Sequence, residues 1–301
     1  MDIRSLRYFL AVAQEENMTR AAEKLHVTQP TLSKALKGLE EELGKKLFVR
    51  KSFSIRLTDE GRLLKQRAED LVDMADKIQL EFSSLGEPTG GDLYFGLAES
   101  RQIRYLAREL RTLKQRYPDL RSHLVSGDTE QVAEKLDKGL LDFAVFAEVP
   151  DPVRYESLVF PEADRWGLIL PEDDPLAKKK AIRVDDLVGK PLFCSGQGWE
   201  KDIPAWAGEK MKDLHLEGSY RLAYNASLFA REHLGYLLAF DKLVDTSHES
   251  GMVFRPLAPK LETNLYLVWK KNQAFSPIAE RFLQQISASF PDTNRSVNRQ
   301  K

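Results

Sequence analysis

Thr28, Gln29, Pro30, Thr31, Ser33, Lys34 and Lys37 crowd one short stretch with hydroxyls, an amide and ammonium groups. These donors and acceptors suit base edges and phosphate oxygens. At 100° per residue, Pro30, Ser33, Lys34 and Lys37 project from one side of a helix. Leu32, Leu36, Leu39 and Leu43 recur on the other side at steps of four, three and four. A helix divided this way fits an ordinary αα-hairpin, or a reading helix that docks its leucines on a partner and offers its polar side to a DNA groove; the residues that follow favour the second. Covalent chemistry has no comparable set of residues. Cys194 is the single cysteine, so the chain can form no internal disulfide. Its setting, Pro191-Leu192-Phe193-Cys194, reads as a buried strand in which the thiol is a small core group. His26, His123, His215, His233 and His248 show no metal-ligand spacing. No Ser/His/Asp order falls in a strand–turn–helix context, and no phosphate-cradling glycine loop, HExxH or CxxC occurs. The expectation is no catalytic residue, no metal and no cofactor.

The elements that must hold the polar face surround it. Thr19 reads as the N-cap of a preceding helix that carries Ala21, Ala22 and Leu25, with Met18 folding back on its apolar side. His26 and Val27 make the turn, Thr28 caps the next helix, and Pro30 is tolerated in its first turn. A helix over residues 3–16 places Leu6, Phe9, Leu10 and Ala13 beneath both. Leu47-Phe48-Val49 and Ile55-Arg56-Leu57 read as short strands, with Arg50 to Ser54 as a wing between them. A long helix then runs from Asp59 to Leu85. Leu64, Ala68, Leu71, Ala75, Ile78, Phe82 and Leu85 repeat along it at steps of four and three, a heptad seam that calls for a partner helix. The alternative, a helix laid on its own domain, fits less well because the seam is narrow and the other faces are charged. A dimer with two reading helices would recognise a site of dyad symmetry.

Phe9, Ala21-Ala22, Gln29-Pro30, Ser33, Leu39-Glu40, Leu43-Gly44, Leu47-Phe48, Arg50, Leu57-Thr58 and Gly61 form a signature spread over more than fifty positions. On these residues the first 85 or so positions resemble the winged helix-turn-helix of the LysR-type transcriptional regulators. Length and layout extend the resemblance over essentially the whole chain. It implies double-stranded DNA as partner, with Thr28, Gln29, Pro30, Thr31, Ser33, Lys34, Lys37, Arg50 and Arg56 as contacts. It also implies self-association as a dimer or tetramer, RNA polymerase as a further partner, and a small-molecule effector of unknown identity. Two departures stand out. The wing reads Lys51-Ser52-Phe53-Ser54, with Phe53 where the family often has a charge, and Lys34 replaces the usual arginine, keeping charge but losing bidentate reach.

Beyond Gly86-Glu87-Pro88-Thr89-Gly90-Gly91, a hinge by composition, strands alternate with helices. Asp92–Leu97, Arg121–Val125 and Leu141–Ala147 read as strands, separated by helices over Arg101–Tyr117 and from Asp128, which caps with Gln131, to Lys138. This is βαβαβ, hence a parallel sheet. Further strands are expected at 155–160, 166–170, 192–195, 218–223, 236–240, 252–257 and 264–269. Helices are expected near 202–212, 227–233 and 276–290, with a polar tail from Pro291. The fold class is α/β overall: a winged helix-turn-helix (1–58), a linker helix for dimerisation (59–86) and a two-lobed effector domain (92–301). Lobe I is about 92–160 plus 266–301 and lobe II about 161–265, an arrangement similar to periplasmic solute-binding proteins.

Ligands of open α/β sheets lie beyond strand C-termini, near helix N-termini. Ala98-Glu99-Ser100, Ser126-Gly127-Asp128-Thr129 and Ser195-Gly196-Gln197-Gly198-Trp199 meet that condition. The family's contacts come from matching loops, which makes Ser100, Thr129, Ser195 and Gln197 effector candidates; each could equally serve only as a cap. Arg101 and Arg104 could pair with an effector carboxylate, although solvent is the simpler destination. Trp166, Trp199 and Trp206 fit core, dimer contacts or stacking.

Charge agrees with this division. The chain carries 45 Lys/Arg and 46 Asp/Glu, yet residues 1–58 hold eleven basic against seven acidic side chains, so a basic head sits on an acidic body. No apolar run reaches a membrane span and the N-terminus lacks a signal peptide, which points to a cytoplasmic protein with no membrane partner. An enzyme or a solute receptor carrying an accessory DNA-binding arm is the alternative reading of the two lobes.

Overall fold

The computed structural model describes residues 1–51, 54–83 and 89–290. The chain divides into two compact units, Met1–Ser84 and Leu85–Lys301. In the first, α1 (Ile3–Glu15), α2 (Met18–Lys24) and α3 (Gln29–Leu43) precede a hairpin of β1 (Phe48–Lys51) and β2 (Ser54–Leu57), and α4 (Asp59–Ser83) follows. The core is built from Leu6, Phe9 and Val12 of α1, Ala21 and Ala22 of α2, and Leu32, Leu36 and Leu39 of α3, with Leu47, Ala68 and Val72. Burying each leucine contributes about 1.5–3 kcal/mol.

Local chemistry sets the boundaries. The α2 cap is Asn17, not Thr19: its Oδ1 accepts from the backbone N–H groups of Thr19 and Arg20 at 2.9 and 3.1 Å. The short Asn side chain satisfies two orphan donors and starts the helix two residues early. His26 turns the chain at φ 54°, and Thr28 caps α3 as expected. Gly44 ends α3 at φ 65°, where a side chain would be strained. The Glu40 carboxylate then receives Leu47 N–H at 2.9 Å and Lys46 Nζ at 2.6 Å. Burial opposes its charge, but these bonds prevail and hold its carboxyl below the usual range. Thr58 Oγ1 accepts from Gly61 N–H at 2.9 Å and opens α4. A Cβ at Gly61 would collide with the Leu47 carbonyl oxygen, so the motif glycine is where helix and strand backbones meet.

The second unit holds two sheets. β3 (Gly90–Leu97), α5 (Ile103–Arg116), β4 (Asp119–Ser126), α6 (Thr129–Asp137), β5 (Phe143–Phe146) and β6 (Tyr155–Val159) come first. Then β7 (Asp164–Pro171), β8 (Pro191–Ser195), α7 (Ile203–Ala207), β9 (His215–Tyr220), α8 (Ala223–Arg231) and β10 (Tyr236–Phe240) follow. β11 (Met252–Pro256), β12 (Glu262–Thr263), β13 (Tyr266–Lys270) and α9 (Pro277–Ser289) complete the order. One sheet runs β4-β3-β5-β13-β6, parallel among β4, β3 and β5, and antiparallel where β13 returns. The other runs β11-β7-β10-β8-β9, with β12 on β7. The chain therefore crosses between sheets twice, before Asp164 and after Thr263. Phe95, Phe143, Leu106, Leu113, Ile278, Phe282 and Ile286 fill the first lobe. Trp166, Leu168, Leu170, Leu192, Ile203 and Leu238 fill the second.

Two expected helices differ in place. The stretch 202–212 is a π turn (Gly198–Asp202), the short α7 and a 3-10 turn (Gly208–Asp213), broken at Gly208 with φ 57°. The helix expected at 227–233 is α8; it begins four residues earlier and stops before His233, which sits at φ 59°. The hinge residues 86–88, the wing residues Ser52 and Phe53, and the tail from Pro291 lie outside the described residues.

Candidate nucleic-acid interface and effector cleft

The polar face on α3 is laid out by the leucines behind it. With Leu32, Leu36 and Leu39 buried, Thr28, Gln29, Pro30, Thr31, Lys34 and Lys37 are exposed and Ser33 is half-buried. Thr28 and Thr31 share a hydroxyl–hydroxyl bond of 2.8 Å, which fixes both at the helix entrance. Lys37 pairs with Glu41 at 3.4 Å on the helix surface. Lys34 has no ion pair among the described residues. Arg56 is exposed on β2; Arg50 lies in β1, and its side chain is outside the described residues.

Along α4 the seam positions divide, and Leu85 lies outside the described residues. Ala68 is fully buried in the first unit's own core and Leu64 packs against it, so both are occupied without a second copy. Arg7 of α1 also forks onto Asp76, its Nη1 donating at 3.1 Å, and ties the middle of α4 down. Ala75 is half-buried. Leu71, Ile78 and Phe82 remain outward, Phe82 with 71% of its surface exposed.

In the second unit a cleft of about 670 Å³ opens between the two sheets. Thr129, Ser195 and Gln197 line it. Thr129 opens α6 beside its cap Asp128, which accepts from Gln131 N–H at 2.9 Å. Thr129 is only 6% exposed, and its hydroxyl has no partner among the described residues. Ser195 Oγ accepts from Gly198 N–H at 3.2 Å, and Gln197 Nε2 donates to the Ala147 carbonyl at 3.3 Å.

Ser100 departs from expectation. It does not line the cleft: its hydroxyl donates to Asp164 and accepts from Gln102 N–H at 2.8 Å. Gln102 Nε2 also reaches Asp164, at 3.1 Å. A buried carboxylate at the chain crossing claims the serine, and burial pushes that carboxyl up despite both bonds. Arg104 and Tyr105 both reach Glu162 at 2.7 Å, so Arg104 faces away from the cleft.

Several cleft residues escaped the sequence reading. Glu99, Asp202, Arg221, Tyr220 and Phe240 line it, beside Trp166, which the sequence left open between core, dimer contacts and stacking. Glu99 stood in a recognised loop beside Ser100, but nothing in the sequence says which of two neighbours turns inward. Trp166 Nε1 donates to Thr263 Oγ1 at 2.9 Å, which donates to Asp202 Oδ1 at 2.6 Å. That relay links residues 97 apart in sequence. Leu222, Tyr224, Leu228 and Phe229 near α8, with Leu124 and Val125 on the edge strand β4, are exposed apolar groups the sequence reading also missed.

Comparison with known proteins agrees with this architecture. Residues 3–62 match the family described as "Bacterial regulatory helix-turn-helix protein, lysR family", and residues 86–291 match the "LysR substrate binding domain". The chain is 30% identical over 281 residues to the Hca operon transcriptional activator HcaR of Escherichia coli K12, covering 91% of this chain and 93% of that one. It is 34% identical over 196 residues to a probable cat1 operon transcriptional activator of Acinetobacter lwoffii; that match spans 64% of each protein. OxyR of Escherichia coli K12 is 33% identical over 66% of this chain and 65% of its own length. Among solved structures, full-length CbnR complexed with its target DNA superposes with a TM-score of 0.74 at 20% identity, over 96% of this chain and 100% of that one, a likeness of fold. With both family domains matched in order along the chain, the protein belongs to the LysR-type family of transcriptional regulators.

Proposed function

We propose that two copies of this protein read a dyad-symmetric promoter site through α3 and the wing, and that a small molecule in the cleft modulates binding or bending of the DNA. One observation supports the reading: Thr28, Gln29, Pro30, Thr31, Lys34 and Lys37 are exposed and Ser33 half-buried, while Leu32, Leu36 and Leu39 behind them are sealed. Gln29, Pro30, Thr31 and Ser33 face the groove, Lys34, Lys37, Arg50 and Arg56 hold phosphates, and Thr28 fixes the entrance. Leu71, Ile78 and Phe82 form the seam between copies, and association into tetramers follows the family layout. Effector contacts come from Thr129, Ser195 and Gln197, around the cleft's unsatisfied hydroxyl. The protein works in the cytoplasm beside its DNA, engages RNA polymerase at the promoter, and turns over no substrate. Among the described residues no helix is long and apolar enough to cross a membrane.

The test compares specific and random DNA by fluorescence anisotropy. Gln29→Ala weakens the specific duplex by about 1–3 kcal/mol and leaves random DNA nearly unchanged. Equal loss on both would assign Gln29 to the backbone and remove base reading from this face.

A further inference from the structure

The charges lining the cleft are lopsided. Glu99, Asp128, Glu130, Glu148, Glu200 and Asp202 face it, against Lys201 and Arg221. Both cations are already engaged: Lys201 Nζ pairs closely with Glu148, and Arg221 Nε lies 3.7 Å from Asp128. Glu99, Glu130, Glu200 and Asp202 have no ion pair among the described residues. An anion entering here would meet four carboxylates without a counter-charge, while the ammonium and the guanidinium each already stand beside a carboxylate. A cation would meet the reverse.

Two of these carboxylates are held in place. Glu99 Oε2 accepts from the Ala223 N–H at 2.6 Å. Asp202 Oδ1 accepts from Thr263, which is itself held by Trp166. A fixed, half-buried carboxylate loses little freedom on meeting a donor. The Thr129 hydroxyl supplies an independent sign of a missing ligand, since a buried hydroxyl without a partner is costly. Trp166 and Phe240, largely buried, and the half-buried Tyr220 form aromatic wall beside the acids, which leaves an apolar side for a body behind a positive head.

We infer that the effector of this protein is an organic cation, a protonated amine on an apolar or aromatic body, held by Glu99 and Asp202 with the Thr129 hydroxyl. The inference rests on the cleft being the effector site and names the chemistry it selects.

Isothermal titration calorimetry on the full-length protein tests it with matched probes: benzylamine, phenethylamine and tyramine against benzoate, phenylacetate and 4-hydroxyphenylacetate. The expected result is binding by at least one amine, with its acid counterpart at least tenfold weaker. Glu99→Gln keeps the acceptor for Ala223 and Asp202→Asn keeps the one for Thr263; each weakens the amine at least tenfold. Thr129→Val weakens the amine without lowering the melting temperature, because that hydroxyl supports nothing else in the fold. Gly196→Trp, where a Cβ has open space, fills the cleft and abolishes binding. Acids binding in place of amines, with loss on Gly196→Trp, would overturn the cation while leaving the cleft as the effector site. Amine binding indifferent to Gly196→Trp, or no binding by either set, would overturn both.

Discussion

On the proposed reading of DNA, Lys34 and Gln29, both exposed on α3, act on different parts of the duplex. An ammonium is a point charge that suits phosphate, whereas an amide can accept and donate to one base edge. Lys34→Ala therefore weakens specific and random duplexes alike and lowers the slope of log affinity against log salt by about one, measured by anisotropy across a salt series. Elsewhere a single carboxylate sets an acid limb. Asp92 on β3 receives Arg121 Nη2 at 2.8 Å and lies 2.6 Å from His123 Nε2 across the β3–β4 pair. Burial opposes its charge, but the His123 and Arg121 bonds prevail and hold its pKa below the ordinary 3.8. Its contribution is thus present above that value and is lost as pH falls through the lower, folded pKa. Asp92→Asn costs about 1 kcal/mol at neutral pH, and the gap to the parent protein closes below pH 3.8 in urea melts. Cys194 behaves as its sequence setting suggests. It is fully buried, and burial drives its thiol far up, so the peroxide-reactive thiolate is scarce. Cys194→Ser therefore leaves DNA affinity unchanged with or without peroxide, measured by anisotropy.

At the scale of elements, α4 shows where a pattern in sequence runs out. Steps of four and three mark an apolar stripe, and the stripe has the same spacing whether the helix meets its own domain or another chain. Leu64 and Ala68 serve the first purpose, since α1 lies against them; Leu71, Ile78 and Phe82 stay outward. Substitutions separate the two. Ala68→Glu buries an unpaired charge and unfolds the first unit, costing several kcal/mol and lowering its thermal midpoint. Ile78→Glu leaves that midpoint within a degree or two and shifts sedimentation velocity toward monomer at micromolar protein. The helix-turn-helix was legible almost residue by residue, because caps, leucine spacing and the motif glycines are local events. Asn17 displaced the expected Thr19, as two acceptable caps stood two residues apart, and Leu43, expected in the buried stripe of α3, is 40% exposed at the helix end beside Gly44. In the second unit most strands were legible as apolar runs, but the strand expected at 218–223 lies at His215–Tyr220, and the break at Gly208 and the early start of α8 were not legible, since tertiary packing decides them.

For the whole molecule, the two lobes were legible from the order of strands and helices, and their cleft from the loops beyond strand ends. Its occupants were legible only in part. Thr129, Ser195 and Gln197 line it, but Ser100 is claimed by Asp164, a residue 64 positions away that no local pattern connects to it. The acidic lining comes from separate segments, so it emerges only when both sheets are assembled. What unites the molecule is a DNA-reading face in one unit and a ligand-sized cleft in the other. The most direct test of that account is selection of protein-bound duplexes from a random DNA pool, with the protein-to-DNA stoichiometry measured on the enriched sequences. The account predicts an inverted repeat whose half-sites lie about 10 base pairs apart or a multiple of that, bound by two chains or a multiple of two. Enrichment of no motif, or of one half-site bound by a single chain, would contradict it.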